Sequence, residues 1–343
     1  MMDKKVCIAG INGYTGQLLK KYIESHPNLS LIGSLKLSKT DIVDSYDYSI
    51  ETLVATNFDV DVLFLATPAE ISIQIVEKLS EKNINTQIID LSGAFRLPID
   101  VLGDWYGLNH NIKSLQGSAK YGLSPFSKFT SKDKVIANPG CYPTCALLSL
   151  IPLLKHNIIK PSNIIIDAKS GVSGAGKTPR EDLMFSEMLN NFFPYKINKH
   201  QHIPEILQGL QDYGISQDDL FFTTSMLPLY SGIAMSIYAD LNQDTISTKE
   251  TIALIEDAYT KEYKDYPLFK YINIDDTADN EVAAFLSVKS VVGTANMHLG
   301  FCVKGSKIVV FSSIDNLLKG AVTQAIENLN NYYNYPVTMG LGV

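Results

Sequence analysis

The chain opens with short apolar runs that alternate with amphipathic stretches. Val6 to Ala9 predicts a strand, and the polar–apolar spacing of Gln17 to Glu24 predicts a helix. Leu29 to Leu37, Val62 to Ala66 and Thr86 to Leu91 predict three more strands, with a helix over Ile71 to Lys82 between the last two. Strands and helices alternating at these lengths predict a parallel sheet with right-handed crossovers. A helix is expected from Pro143 to Lys155, and the pattern then changes. Ile164 to Lys169, Phe221 to Pro228, Ile233 to Asp240, Glu281 to Val292, His298 to Val303 and Lys307 to Ser313 predict strands. Helices are expected at Thr248 to Lys261 and Leu317 to Tyr332. Strands that outnumber helices predict a second, α+β domain with a mostly antiparallel sheet.

A length of 343 residues suits two domains, and 45% hydrophobic with 19% charged residues is enough to give each a core. A formal net charge of -7 gives no general attraction to nucleic acid or anionic membrane. No apolar run approaches the ~18 residues of a membrane span. The four cysteines show no disulfide-type spacing, so a reducing cytoplasm is the expected compartment.

Gly10-Ile-Asn12-Gly13-Tyr14-Thr15-Gly16 directly follows the first strand and opens the first helix. Glycines there let the backbone approach a pyrophosphate, and a helix N-terminus favours its charge. The fold expected of the first domain is therefore a dinucleotide-binding Rossmann domain. Its second strand ends in Ser34, Lys36, Ser38 and Lys39, with no acid for a ribose 2′-hydroxyl. Cations and hydroxyls at that place favour NADP(H) over NAD. Thr67 and Pro68 after the third strand, and Ser92 after the fourth, are further expected cofactor contacts.

Asn138-Pro-Gly-Cys141-Tyr-Pro143-Thr144 joins a strand end at Val135 to Ala137 to a helix. Pro143 suits a first helical turn. Cys141 is then placed where free N–H groups and the helix dipole favour a thiolate, the form covalent chemistry needs. Cys145 lies one turn on, and Cys7 and Cys302 sit in apolar strands as expected core residues. Lys199-His200-Gln-His202-Ile-Pro204-Glu205 carries two histidines that share one side if the segment is extended, and Pro204 argues against helix there. Glu205 is positioned to orient one imidazole as the proton-transfer group. The pair lacks third and fourth ligands at metal-binding spacing, so no metal is expected.

A second glycine-rich loop, Lys169-Ser170-Gly171-Val-Ser173-Gly174-Ala-Gly176, follows a strand of the second domain. Its small residues and N–H groups suit close approach to a ligand, whereas its spacing is not that of a P-loop. Arg96, at the expected carboxyl edge of the parallel sheet, is a candidate partner for carboxylate or phosphate.

Together these segments, with Asp315-Asn316 and the residues after them, resemble N-acetyl-γ-glutamyl-phosphate reductase, a relative of aspartate-semialdehyde dehydrogenase. The resemblance covers nearly the whole chain. It implies a Rossmann domain over residues 1–145 to which 317–343 returns, and a catalytic, oligomer-forming domain over 146–316. It implies NADPH-dependent reduction of an acyl phosphate through a Cys141 thioester in arginine biosynthesis, by a homo-oligomer, dimer or tetramer. Ser170 to Gly176 is then expected beside nicotinamide and substrate, with Gly174, Gly176 and Asn316 toward the cofactor. Arg96, Asn138, Lys169, Ser170 and Gly171 are expected at the substrate. Two positions depart from the family pattern: Ser231 stands where an Arg is usual, and Phe126 where a Glu is usual. A lost Arg removes a bidentate anion partner. The departures leave open a related reductase acting on another acylated or carrier-linked glutamyl or aminoadipyl phosphate, or an inactive dinucleotide-binding relative.

Overall fold

The computed structural model describes residues 3–36, 47–49, 59–81, 86–110, 112, 119–242 and 247–342. The chain divides into two compact units, residues 1–140 with 321–343, and residues 141–320.

The first unit is a Rossmann sheet. Its elements are β1 (Lys4–Ala9), α1 (Tyr14–Glu24), β2 (Leu29–Lys36), β3 (Asp47–Ser49), β4 (Val62–Leu65), α2 (Ala69–Glu81), β5 (Gln87–Asp90), α3 (Ile99–Tyr106), β6 (Ala119–Tyr121) and β7 (Val135–Ala137). The sheet runs in the order β3-β2-β1-β4-β5-β7-β6, and every pairing in it is parallel. Residues 6–9 of β1 and all of β4 and β5 are buried. That is why they read as continuous apolar runs: helices cover both faces of such a sheet. The three-residue strands β3 and β6 are too short to show a period and were not expected.

The second unit begins with α4 (Cys141–Lys155), followed by β8 (Ile164–Ser170), β9 (Phe193–Tyr195), α5 (Ile203–Leu210), β10 (Leu220–Met226), β11 (Ile233–Asp240) and α6 (Thr248–Tyr263). It ends with β12 (Phe269–Asn273), α7 (Asp279–Leu286), α8 (Val288–Val291), β13 (Met297–Lys304) and β14 (Lys307–Ile314). Its sheet order is β12-β13-β14-β11-β8-β10-β9. Antiparallel pairs predominate, with β8–β10 and β12–β13 parallel. Helix α4 belongs to the second unit, where it packs with α5, α6, β11 and β14.

The expected strand over Glu281 to Val292 is instead α7 and α8. Asp279 and Glu281 lie in the first turn of α7, where the dipole favours acids, and the alanines at 283 and 284 favour helix over strand. The expected helix over Leu317 to Tyr332 begins as a π-turn, Leu318–Val322, and continues as α9 (Thr323–Tyr332) in the first unit. His26 is buried and bonds Asn330 of α9 through Nε2 at 3.0 Å. That bond ties the returning helix to the end of α1.

Helix α4 sets the geometry of the second unit. Residues 142–154 are all buried, and the helix is apolar on every face, as a core helix must be. It contains Pro152, which has no N–H for the carbonyl of Leu148 one turn earlier. The Tyr263 hydroxyl donates to that carbonyl, and Tyr259 donates to the next one, Ser149 O, at 3.0 Å. Both tyrosines are buried on α6. Tyr263→Phe strands a buried carbonyl and is expected to cost about 1–3 kcal/mol in urea unfolding; an unchanged midpoint would contradict the repair.

Candidate active site

The described loops after β1, β4 and β5 lie at the carboxyl edge of the parallel strands, the ligand-binding edge of such sheets. Gly10 follows β1 with φ 82°, and a Cβ there would sit 2.4 Å from Ala66 O. A Cβ at Gly16 would sit 2.2 Å from Gly10 O. Neither position accepts a side chain, so the loop packs tightly at the end of β4 and delivers the start of α1. No acid occupies the first turn of α1, leaving its N-terminus open to an anion. A cradle that excludes side chains and ends on a positive helix terminus fits a pyrophosphate. Asn12, Gly13, Tyr14 and Thr15 complete this loop. Lys36 is the last residue of β2; Ser38 and Lys39 lie outside the described residues. Thr67 and Pro68 follow β4, with Thr67 Oγ1 2.8 Å from Ser72 Oγ. Ser92 follows β5 and is turned by Asp90, whose Oδ1 accepts from its N–H at 3.0 Å and its hydroxyl at 2.7 Å.

Two residues expected at the substrate serve this edge as braces. All four hydrogen-bonding groups of fully buried Asn138 have protein partners. Its N–H donates to Asp90 O at 2.8 Å and its carbonyl accepts from Arg96 Nε at 2.8 Å. Its side chain donates to Ala321 O at 3.0 Å and accepts from Asn328 at 2.9 Å. Arg96 is buried and also donates to Leu91 O at 2.9 Å. Their backbone bonds thus fix the strand end that leads into Asn138-Pro139-Gly140-Cys141.

In the second unit Cys141 is the first residue of α4, where N–H groups have no helical acceptor. Gly320 lies against it. A Cβ at 320 would stand 2.6 Å from Cys141 Cβ and 3.1 Å from its Cα. Asp315 shapes the turn that brings Gly320 there: its Oδ1 accepts from Leu317 N at 2.8 Å and Leu318 N at 3.2 Å, and its carbonyl from Gly320 N at 2.9 Å. Cys145 does not join Cys141. It is buried with Sγ 3.2 Å from Ser312 Oγ, and burial pushes its thiol up to about 12.

The histidines come together by a turn, not by the extended segment expected. His202 has helical φ and ψ (-83°, -9°) just before α5, and Pro204 sits in the first turn of that helix, where its missing N–H costs nothing. The imidazole centroids are 4.6 Å apart and both rings are buried. His202 N–H donates to His200 Nδ1 at 3.1 Å. His200 Nδ1 is thus an acceptor, and the ring's proton resides on Nε2. Burial, reinforced by the Lys196 charge, holds the His200 imidazole down to about 3. Glu205 is buried in the first turn of α5. Tyr142 and Tyr195, which the sequence did not single out, complete the cluster: their hydroxyl oxygens are 2.7 Å apart, and Tyr142 packs against both imidazoles.

The loop after β8 departs from expectation. The N–H groups of Gly171, Val172 and Ser173 donate to Gly232, Leu229 and Tyr230 carbonyls, each at 2.9 Å, so they are not free for an anion. Asn316 braces the same loop. Its Oδ1 accepts from Gly232 N at 2.6 Å and its Nδ2 donates to Ser173 Oγ at 3.0 Å. Gly174 and Gly176 follow, Gly176 with φ 82°. Alternation along β8 places Ser170 on the buried face and Lys169 on the opposite one, where Asp167 holds its ammonium. Lys169 therefore does not join the Cys141 cluster.

Two family models match the chain: "Semialdehyde dehydrogenase, NAD binding domain" over residues 5–125 and "Semialdehyde dehydrogenase, dimerisation domain" over residues 141–316. N-acetyl-gamma-glutamyl-phosphate reductase of Streptococcus thermophilus is 35% identical over 350 residues, covering 98% of both chains. The protein of that name from Vesicomyosocius okutanii is 36% identical over 349 residues, covering 98% of this chain and 97% of its own. Among solved structures, aspartate semialdehyde dehydrogenase II of Vibrio cholerae aligns with a TM-score of 0.68 at 16% identity, covering 96% of this chain and 98% of its own. The Candida albicans aspartate semialdehyde dehydrogenase with NADP aligns at 0.62 and 13% identity, covering 97% and 99%. At these identities the solved structures show the shared fold.

The His200 environment makes a pH prediction. The folded imidazole is held down to about 3 from an ordinary 6.5, so the unfolded chain binds the extra proton between those values. Stability contributed by neutral His200 is present above pH 6.5 and is lost as pH falls toward 3, at up to about 1.4 kcal/mol per pH unit. Urea unfolding at pH 7 and 5 should show a shallower pH dependence in His200→Gln than in the natural chain; parallel dependences would contradict the assignment.

Proposed function

The chain belongs to the N-acetyl-γ-glutamyl-phosphate reductase family, NADPH-dependent acyl-phosphate reductases of arginine biosynthesis, and from that premise we propose that Cys141 is its nucleophile and His202 its proton-transfer group. The name its relatives carry favours the N-acetyl group over the changed acyl group that Ser231 and Phe126 left open. The observation that supports the catalytic reading is the meeting, within one unit, of a cysteine at a helix start and a buried histidine pair packed on the neighbouring tyrosine.

The Cys141 thiolate attacks the acyl-phosphate carbonyl, and phosphate leaves as the thioester forms. The helix N–H groups around Cys141 favour both the thiolate and the oxyanion that develops at this carbon. NADPH, when bound, supplies the hydride that the thioester carbonyl accepts more readily than a carboxylate would. His202 then moves the proton as the thiohemiacetal collapses to semialdehyde and frees the thiolate. His200 is unsuited to that exchange: its Nδ1 is occupied and its conjugate acid is too strong. It remains a neutral Nε2–H donor able to hold the acyl group. Buried Glu205, three residues beyond His202 in the first turn of α5, is the proposed hydrogen-bond partner of one nitrogen of that imidazole. The loop from Gly10 to Gly16, with Lys36, Thr67, Pro68 and Ser92, would hold the nucleotide part of NADP(H). Ser170 lies on the same strand face as the α4 side of the sheet and would meet substrate.

Two further readings complete the proposal. Copies of this chain pair through the open face of the second-unit sheet. There Phe221, Ile165 and Tyr238 form one cross-strand row at 51%, 45% and 42% exposure, with Phe311 in the next. The dimerisation description of the matching family model supports this, and such an apolar face calls for a partner. Ile165→Asp should lower the molecular mass measured in solution to that of a monomer, and an unchanged assembly would reject this face. Among the described residues no helix is long and apolar enough to cross a membrane; the biosynthetic role that the relatives' name carries supports a cytoplasmic compartment.

The test of the catalytic reading runs the reaction backward, as phosphate-dependent reduction of NADP with N-acetylglutamate semialdehyde. Cys141→Ser should abolish turnover and still bind NADP, and His202→Gln should lose about 10²–10⁴-fold in kcat. Turnover near that of the natural enzyme in Cys141→Ser would refute the covalent path.

A further inference from the structure

We infer that Tyr142 is a positioning residue whose ring sets the planes of both active-site imidazoles. The inference rests on the reading that His202 transfers the proton. A histidine's outer torsion is broad and roughly two-fold, so its rotamer alone does not fix the direction of its ring nitrogens. Something outside the side chain must do so if a proton is to be delivered along one line.

Tyr142 is placed to do this. Its ring centroid lies 5.3 Å from that of His200 at an interplanar angle of 86°, and 5.8 Å from that of His202 at 72°. Both are edge-to-face arrangements, the orientation that aromatic quadrupoles favour. Phe222 and Tyr195 back His200 from further directions, at 5.7 Å and 82° and at 5.9 Å and 70°. Phe222 also meets Tyr142 edge-on at 5.5 Å.

Tyr142 is itself held at both ends. Its backbone belongs to the first turn of α4, directly after Cys141, and its hydroxyl oxygen lies 2.7 Å from that of Tyr195 on β9. The ring is 2% exposed. A tilt of this ring would have to break the phenol pair or shift the helical turn that carries the nucleophile. The orientation of the proton-transfer group is thereby coupled to the placement of the thiol through adjacent residues of the chain.

The ring, not the hydroxyl, does the orienting, which separates this role from a hydrogen-bonding one. In the full-length enzyme assayed in the phosphate-dependent direction, Tyr142→Phe should keep kcat close to the natural value. Tyr142→Leu should lose about 10²-fold in kcat, the scale of a misplaced catalytic group, with KM for NADP and phosphate unchanged. Rescue by Phe with failure by Leu, at matched melting temperatures, supports the inference. Natural kcat in folded Tyr142→Leu overturns it, and so does a loss in Tyr142→Phe as deep as in Tyr142→Leu. If Tyr142→Leu does not fold, Tyr142→Met decides: a kcat lowered about 10²-fold at unchanged KM supports the inference, and natural kcat overturns it. His202→Gln measured alongside isolates the underlying reading: an active His202→Gln rejects that reading whatever the tyrosine variants do.

Discussion

A helix buried on every side reaches solvent only at its ends, and the rest of the second unit depends on that constraint. Helix α4 is buried from Tyr142 to Leu154, so Cys141 is reachable only because it begins the helix. The same position sets the sulfur at the positive end of the helix dipole, which favours the thiolate proposed for it. Burial has its consequences further along. Pro152 leaves a carbonyl that Tyr263 must satisfy, and Cys145, one turn inward, becomes an inert thiol. The two cysteines of one helix thus differ in exposure by depth alone.

The structure also gives several conspicuous polar residues a bracing role. Asn138, Arg96 and Asn316 all sit in segments that read as binding motifs, yet their groups bond backbone carbonyls, amides and side chains of their own unit. They fix the strand end before the nucleophile and the loop after β8. Gly320 acts by having no side chain, since any Cβ would displace Cys141. Such groups raise the precision of a site by fixing its frame.

Much of this was legible in the sequence, and the remainder failed for identifiable reasons. Buried parallel strands read as apolar runs, and the glycine loop, the cysteine and the histidine pair each carried local signatures. The segment from Glu281 to Val292 misled because its valines and phenylalanine outweighed the acids and alanines that start a helix. The histidine segment was expected extended because Pro204 was read as a helix breaker, when it sits in the first turn of α5. Lys169 was grouped with Ser170 by adjacency, although neighbours on a strand face opposite sides. The fates of the Gly171 to Ser173 amides, and the roles of Tyr142 and Gly320, depend on partners distant in sequence, which no local pattern reports.

The central claim is that the acyl group passes through Cys141, and trapping that adduct tests it most directly. The enzyme would be incubated with N-acetylglutamate semialdehyde and NADP in the absence of phosphate, then digested and weighed by mass spectrometry. The account predicts an N-acetylglutamyl thioester on the peptide carrying Cys141, discharged when phosphate is added. An enzyme that turns over with phosphate yet never shows acylated Cys141 without it would contradict the account.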